Sequence, residues 1–144
     1  RVLVELFADQ LPETVEHVSR CVRGGYNGRY DGVRVTRVVR HGWVQTDAIT
    51  QDIDGAPLTV PTVPDESFST RCDQRGRVAL ANTGPHSSGS ALMFLLNAMP
   101  ALDRRYLVVG QCLTGGEVLD AFEAMPTVFE RPKTAVQIIR AGLL

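Results

Sequence analysis

The apolar positions of this chain change period several times, and each change predicts an element. In "RVLVELF", Arg1 to Phe7, β-branched and apolar residues flank the charge at Glu5, the pattern of a strand with one buried face. From Leu11 the period lengthens. Val15, Val18 and Val22 fall at helical spacing, Pro12 is tolerable only in a first turn, and Gly24 can stop a helix, so "LPETVEHVSRCVRGG" predicts a short amphipathic helix. After the turn chemistry of "GYNGRYDG", the run "VRVTRVV" returns to a period of two and puts Val35, Arg37 and Val39 on one face. The segment from Thr46 to Gln74, with Pro57, Pro61 and Pro64 among clusters of Asp, Ser and Thr, predicts a long surface loop too polar for the core. "RVALAN" and "ALMFLL" predict two strands joined by the loop "TGPHSSGS", and "RYLVVGQ" predicts another. In "TGGEVLDAFEAM", Thr114 and Glu117 stand at capping-box spacing while Val118, Leu119 and Phe122 share a face, which predicts a second helix. "AVQIIRAGLL" predicts a closing strand. Strands in series with two separated helices, and no βαβ rhythm, predict a mainly β (α+β) antiparallel fold or a closed barrel.

Composition narrows the partners more than the fold. With 15 basic and 16 acidic residues among 144, the net charge is −1. Such a chain has no long-range field to draw nucleic acid or an anionic membrane, so neither is an expected partner. No apolar run approaches bilayer-spanning length, and no basic-then-apolar signal pattern opens the chain. Cys21, Cys72 and Cys112 are odd in number and far apart, which argues against a disulfide framework and for a reducing, cytoplasmic setting. Residues 1–144 form one expected domain, and a first residue that is Arg1 rather than Met predicts a segment of a longer protein.

Most catalytic motifs are absent. His17, His41 and His86 lack metal-ligand spacing, "GPHSSGS" is not a nucleophile elbow, and "GGYNG" is not a nucleotide-binding loop, so neither metal nor cofactor is expected. What remains is Arg37, inside an apolar strand, and Gln45 eight residues later. Taken alone, such an arginine reads as a solvated surface residue.

Longer stretches change that reading. "VELFADQLPETVEH", "YDGVRVTRVV" leading to Gln45, "PDESF", "GRVALANTGPHSSGSALMF" and "LDRRYLVVGQCLTGGEVLDAFEAM" follow one another in the order of a known family. The chain resembles the cyclophilins, the cyclophilin-type peptidyl-prolyl cis-trans isomerases, from Arg1 to Leu144, with a small shortening between Gln45 and Phe68. The resemblance implies an eight-stranded antiparallel β-barrel capped by two α-helices, with a ligand groove on its outside. It also implies a first strand upstream of Arg1 that is missing here. The implied activity is rotation of X-Pro bonds, whose amide resonance sets a barrier of about 18–20 kcal/mol. By resemblance Arg37 is the arginine that donates to the prolyl nitrogen, and Gln45 holds the peptide. Ala81 and Asn82 fall where backbone meets peptide, and Trp43, Ala91, Met93, Leu102 and Tyr106 take positions of the substrate pocket. Proline-containing peptides or protein segments are the implied partners.

The chain departs from the family at that pocket. Gly42 stands where the main proline-contacting phenylalanine is usual, Trp43 at a position usually Met or similar, Met93 at a second phenylalanine and Ala91 at a peptide-binding glutamine. Ala101 replaces a Trp or His, Tyr106 replaces a His, and Leu102 is kept. Trp43 either swings in to replace the missing ring or packs in the core or against a partner. "HGWVQ" and the "ERP" of Glu130 to Pro132 resemble a divergent isomerase-like branch, with members regarded as inactive and members resembling components of ciliary doublet microtubules. Two readings follow. One is a non-catalytic or weakly catalytic binding module, in an axonemal assembly with microtubule-associated partners; the other is an active isomerase working through Arg37.

Overall fold

The computed structural model describes all of residues 1–144. Alternation along its strands sorts apolar residues onto two faces of one antiparallel sheet. The elements are β1 (Leu3–Leu6), α1 (Pro12–Arg23), β2 (Val35–Val39), β3 (Trp43–Thr46), β4 (Arg77–Leu80), β5 (Leu92–Leu95), β6 (Val108–Thr114), α2 (Gly116–Ala124), β7 (Thr127–Val128) and β8 (Arg131–Pro132). Six strands pair in the order β1-β6-β4-β5-β3-β2, and β7-β8 is a separate hairpin. Register sets two rows across the sheet. Val38, Val44, Phe94, Val78 and Gly110 lie in line on the inner face, and Arg37, Gln45, Met93, Ala79 and Val108 on the outer face.

The two helices cover the inner face. Leu11, Val15 and Val18, at and just inside the start of α1, pack with Val78, Leu80, Leu107 and Val109, and Leu119 of α2 packs with Val38, Val44 and Leu96. As the spacing predicts, Pro12 opens α1 and Gly24 ends it at φ 82°, with its N–H on the Arg20 carbonyl. No side chain of α1 caps its start; a distant residue does. The Glu66 carboxylate accepts from the Thr14 N–H (2.9 Å), the Thr14 hydroxyl (2.8 Å) and the Glu13 N–H (3.1 Å). Burial alone would raise the Glu66 carboxyl, but these bonds outweigh it and hold it below the usual carboxylate range.

Three expectations need correction. The Thr46–Gln74 loop is not all surface: Ile49 and Val60 form a buried cluster with Cys21 and Tyr30, and Cys72 is buried on the outer face. Its few apolar residues reach inward, and Ser90 satisfies the backbone there, its hydroxyl accepting the Ile49 N–H at 2.8 Å while its carbonyl takes the Tyr30 hydroxyl at 2.6 Å. The capping box does not form. Thr114 is the last residue of β6, paired to Leu3, so Gly115 at φ 104° takes the N-cap position with no side-chain bond. The closing run "AVQIIRAGLL" makes only partial ladder contact: Val35 N–H donates to Val136 (2.9 Å), Ile138 N–H to Val33 (2.8 Å), and Arg34 bridges Gln137. This run extends the sheet beyond β2, at the opposite edge from β1. The antiparallel, mainly β architecture with two helices stands as expected. No helix is long and apolar enough to cross a membrane.

Candidate functional site

The outer face carries the polar residues singled out from the sequence. Arg37 sits mid-way along β2, directly opposite Gln45 of β3, which is in turn opposite Met93 of β5. The Arg37 side chain is about half exposed at 45%, its Nε donates to Glu130 Oε1 at 2.9 Å, and its guanidinium carbon lies 5.1 Å from the centre of the Trp43 ring. That stacking is a cation–π contact. The Trp43 Nε1–H donates to Gln45 Oε1 at 3.2 Å. Glu130, Arg37, Trp43 and Gln45 thus form one connected chain of contacts along the sheet. Trp43 is half-buried on this outer face, beside Arg37, rather than in the core between helices and sheet.

The turn between β2 and β3 explains the missing aromatic at Gly42. His41 is left-handed at φ 63°, and the Gly42 N–H returns to the Val39 carbonyl at 2.8 Å. A Cβ on Gly42 would lie 2.9 Å from Val39 Cγ1 and 3.2 Å from the Val39 carbonyl oxygen. The turn closes over the space a side chain would need.

Below this row lies an apolar floor. Met93, Ala79, Leu95, Val108 and Cys72 are buried together, and Trp43, Ala81, Met99, Leu102 and Tyr106 pack against them. Met93 is only 1% exposed, so it offers almost no surface as a direct contact. The Ala81 N–H bonds the Ala91 carbonyl at 2.9 Å, prolonging the β4-β5 ladder toward Asn82. The Asn82 side chain is spent locally: Nδ2 donates to the Arg105 carbonyl at 2.7 Å, and Oδ1 accepts from the Gly84 N–H at 3.2 Å. The main-chain N–H and C=O of Asn82 have no partner within the chain. Register therefore gathers Arg37, Trp43, Gln45 and Met93, and the apolar cluster adds Ala81, Leu102 and Tyr106. Ala91 and Asn82 stand where the ladder ends. Ala101 is exposed, in a short 3₁₀ turn with Pro100 and Leu102.

These groups suit amide recognition rather than bond cleavage. Burial pushes the thiols of Cys21, Cys72 and Cys112 up to about 11, so none is a ready nucleophile at neutral pH. No group of three or more His, Cys, Asp or Glu is gathered to hold a metal ion. Available instead are the two Nη groups of Arg37, which have no protein partner, and the bare main-chain groups of Asn82. Concavities of about 210 and 340 Å³ open elsewhere, beside Gln111 and beside Asp103, and include none of Arg37, Gln45 or Met93.

Glu130 is the contact that the sequence did not bring out. Its "ERP" run resembles the divergent branch but gives Glu130 no place in the site from sequence, because the turn that delivers it, Phe129 at φ 49° and Glu130 at φ 67°, lacks the Asn-Gly signal of a two-residue hairpin.

Residues 1–143 match the family model described as cyclophilin type peptidyl-prolyl cis-trans isomerase/CLD. Similar curated proteins include "Probable inactive peptidyl-prolyl cis-trans isomerase-like 6" from Bos taurus, 35% identical over 153 residues and 100% of this chain, and its Homo sapiens counterpart, 34% identical over 99% of this chain. A third, "Peptidyl-prolyl cis-trans isomerase cyp11" from Rhizopus delemar, is 30% identical over 100% of this chain. The chain spans about half the length of these relatives, 50%, 49% and 46% respectively. Among solved structures, a Cryptosporidium parvum cyclophilin-type isomerase crystallised in the presence of the dipeptide Ala-Pro superposes with a TM-score of 0.85 at 20% identity, covering 99% of this chain and 92% of that one.

Proposed function

Because this chain belongs to the cyclophilin-type peptidyl-prolyl cis-trans isomerase family, we propose that its outer face binds proline-containing segments while its isomerase activity is weak or lost. The observation that carries this reading is the row Arg37, Gln45, Met93, with Trp43 lying over it and Met93 only 1% exposed. A catalyst of X-Pro rotation needs neither nucleophile nor metal; it need only hold the twisted amide better than the planar one. A guanidinium beside the prolyl nitrogen does this by favouring the pyramidal, unconjugated state, provided an apolar pocket grips the ring. Here the guanidinium is present and the grip is poor. Gly42, Ala91 and Ala101 offer no large side chain, and the floor at Met93 is covered. Losing one large buried aromatic contact costs a few kcal/mol, and each 1.4 kcal/mol is tenfold in rate or affinity. Two or three such losses remove most of a typical acceleration.

Binding of the main chain survives that loss more readily. The free Asn82 backbone groups and the unbonded Arg37 Nη groups can pair with an extended peptide, and Ala-Pro is the dipeptide named with the related crystal structure. The relatives named probable inactive support the weak-activity side. We place the domain within a longer protein that acts as a structural module of an axonemal microtubule assembly; the resemblance of "HGWVQ" and "ERP" to the divergent branch supports that setting. The competing reading, an active isomerase, rests on the retention of both Arg37 and Gln45.

Exchange spectroscopy by NMR on a short X-Pro peptide separates the two. The expected result is peptide-induced shifts in the amides of Ala81 and Asn82 with little acceleration of cis/trans exchange. Strong acceleration that disappears in Arg37→Ala would overturn the weak-activity reading. Location of the full-length protein outside cilia would overturn the axonemal setting.

A further inference from the structure

Arg37 has two neighbours able to accept its protons, and the structure distinguishes them. Gln45 lies directly across the β2-β3 ladder but spends its Oε1 on the Trp43 indole. Glu130 reaches in from the β7-β8 turn and takes Arg37 Nε at 2.9 Å. Its backbone is fixed to the same strand, because the Val38 N–H donates to the Glu130 carbonyl at 2.7 Å. The turn itself is held in an unfavourable shape. Phe129 and Glu130 both adopt left-handed φ angles, 49° and 67°, and Phe129 is 99% exposed, so no burial of its own ring recompenses that conformation. Such strain persists where surrounding contacts over-determine it, and it concentrates at functional positions.

We propose that Glu130 is a positioning residue for Arg37. Its carboxylate anchors the guanidinium by Nε, the Trp43 ring supports one face of it, and Nη1 and Nη2 remain free to donate to a bound amide. This inference rests on the reading of the outer face as a proline-peptide site. A lone arginine on a solvated strand samples many rotamers, and ordering it on binding weakens whatever it donates to. Glu130 orders it beforehand. The opposing effect, neutralisation of the Arg37 charge, is reduced because both partners are more than two-fifths exposed, at 45% and 43%, and water screens the carboxylate from a ligand at Nη. Orientation therefore outweighs charge loss, which sets the expected sign: removing Glu130 weakens binding.

The test uses Glu130→Ala and Glu130→Gln, read by the Arg37 Nε–H NMR signal and by titration with Ala-Pro and with a short X-Pro peptide. Glu130→Gln keeps an acceptor without the charge, and should preserve the Nε–H signal and affinity within about twofold. Glu130→Ala should shift and broaden that signal and weaken binding about three- to tenfold, about the factor expected for one charge-assisted hydrogen bond at a half-exposed site. In an Arg37→Ala background, Glu130→Ala should add nothing. If the unaltered protein binds and Glu130→Ala binds equally well or better, or if Glu130→Gln is as weak as Glu130→Ala, the positioning role is overturned while the peptide site stands. If the unaltered protein binds neither probe, the peptide site itself is overturned and the inference falls with it.

Discussion

Trp43→Ala should destabilise the domain by about 2–3 kcal/mol, a large effect for a residue on the outer face of a sheet. The structure supplies three contributions. A tryptophan fully buried removes about 150–250 Å² from water; Trp43 is half-buried on the cluster of Met93, Leu95 and Val108, so roughly 100 Å² is at stake, or about 2.5 kcal/mol at about 25 cal/mol per Å². A compact unfolded chain lowers that figure by about 10–40%. The Arg37 guanidinium at 5.1 Å adds about 0.5–1 kcal/mol for an exposed cation–π pair. The indole bond to Gln45 at 3.2 Å adds little, because water replaces it at a half-exposed site. Urea unfolding followed by far-UV circular dichroism measures the sum, since Trp43 is the sole tryptophan and its replacement removes the fluorescence probe. The midpoint should fall with the m-value unchanged. Trp43→Phe, which keeps most of the apolar contact, should cost about 1 kcal/mol or less. A Trp43→Ala cost below about 0.5 kcal/mol would refute the packing argument and, with it, the claim that this ring covers the floor of the site.

Two further outcomes follow from local geometry. Gly42→Phe should not restore isomerase activity, and Gly42→Ala should cost about 1–3 kcal/mol, because the added Cβ meets Val39 Cγ1 at 2.9 Å; a neutral Gly42→Ala in the same unfolding assay would show that the turn has room. Stability should fall as pH drops below about 4.5: burial alone would raise the Glu123 carboxyl, but bonds from Arg75 (2.9 Å) and His41 (2.8 Å) outweigh it and lower it, so the ion pair stabilises the fold above the unfolded-state value and is lost below it. Glu123→Gln should lower the unfolding midpoint at pH 7 and flatten its pH dependence below about pH 5, and an unchanged pH profile there would contradict the assignment.

Much of this protein was legible in its residues alone. The valine spacing of α1, its Pro12 start and Gly24 stop, the period-two run of β2 and the apolar runs of β4, β5 and β6 all depend on contacts within a few residues, where local sterics and patterning decide. The collinear motifs identified the family and placed Arg37 and Gln45 on one surface, and register confirms that they are directly opposite. Long-range pairing was not legible. That Glu66 rather than any residue of α1 caps that helix, and that Thr114 pairs with Leu3 instead of capping α2, depends on partners more than fifty residues away. Polar composition hid the burial of Ile49 and Val60, because a segment mostly exposed can still place a few residues in a gap between helix and sheet. The same distinction divides the site. Sequence determined which donors and acceptors the outer face could carry, since residue type fixes them. Only the tertiary structure decided that Trp43 takes Gln45, that Met93 is covered, and that Glu130 crosses 93 positions of chain to hold Arg37, because side-chain partners are chosen by proximity that no local pattern encodes.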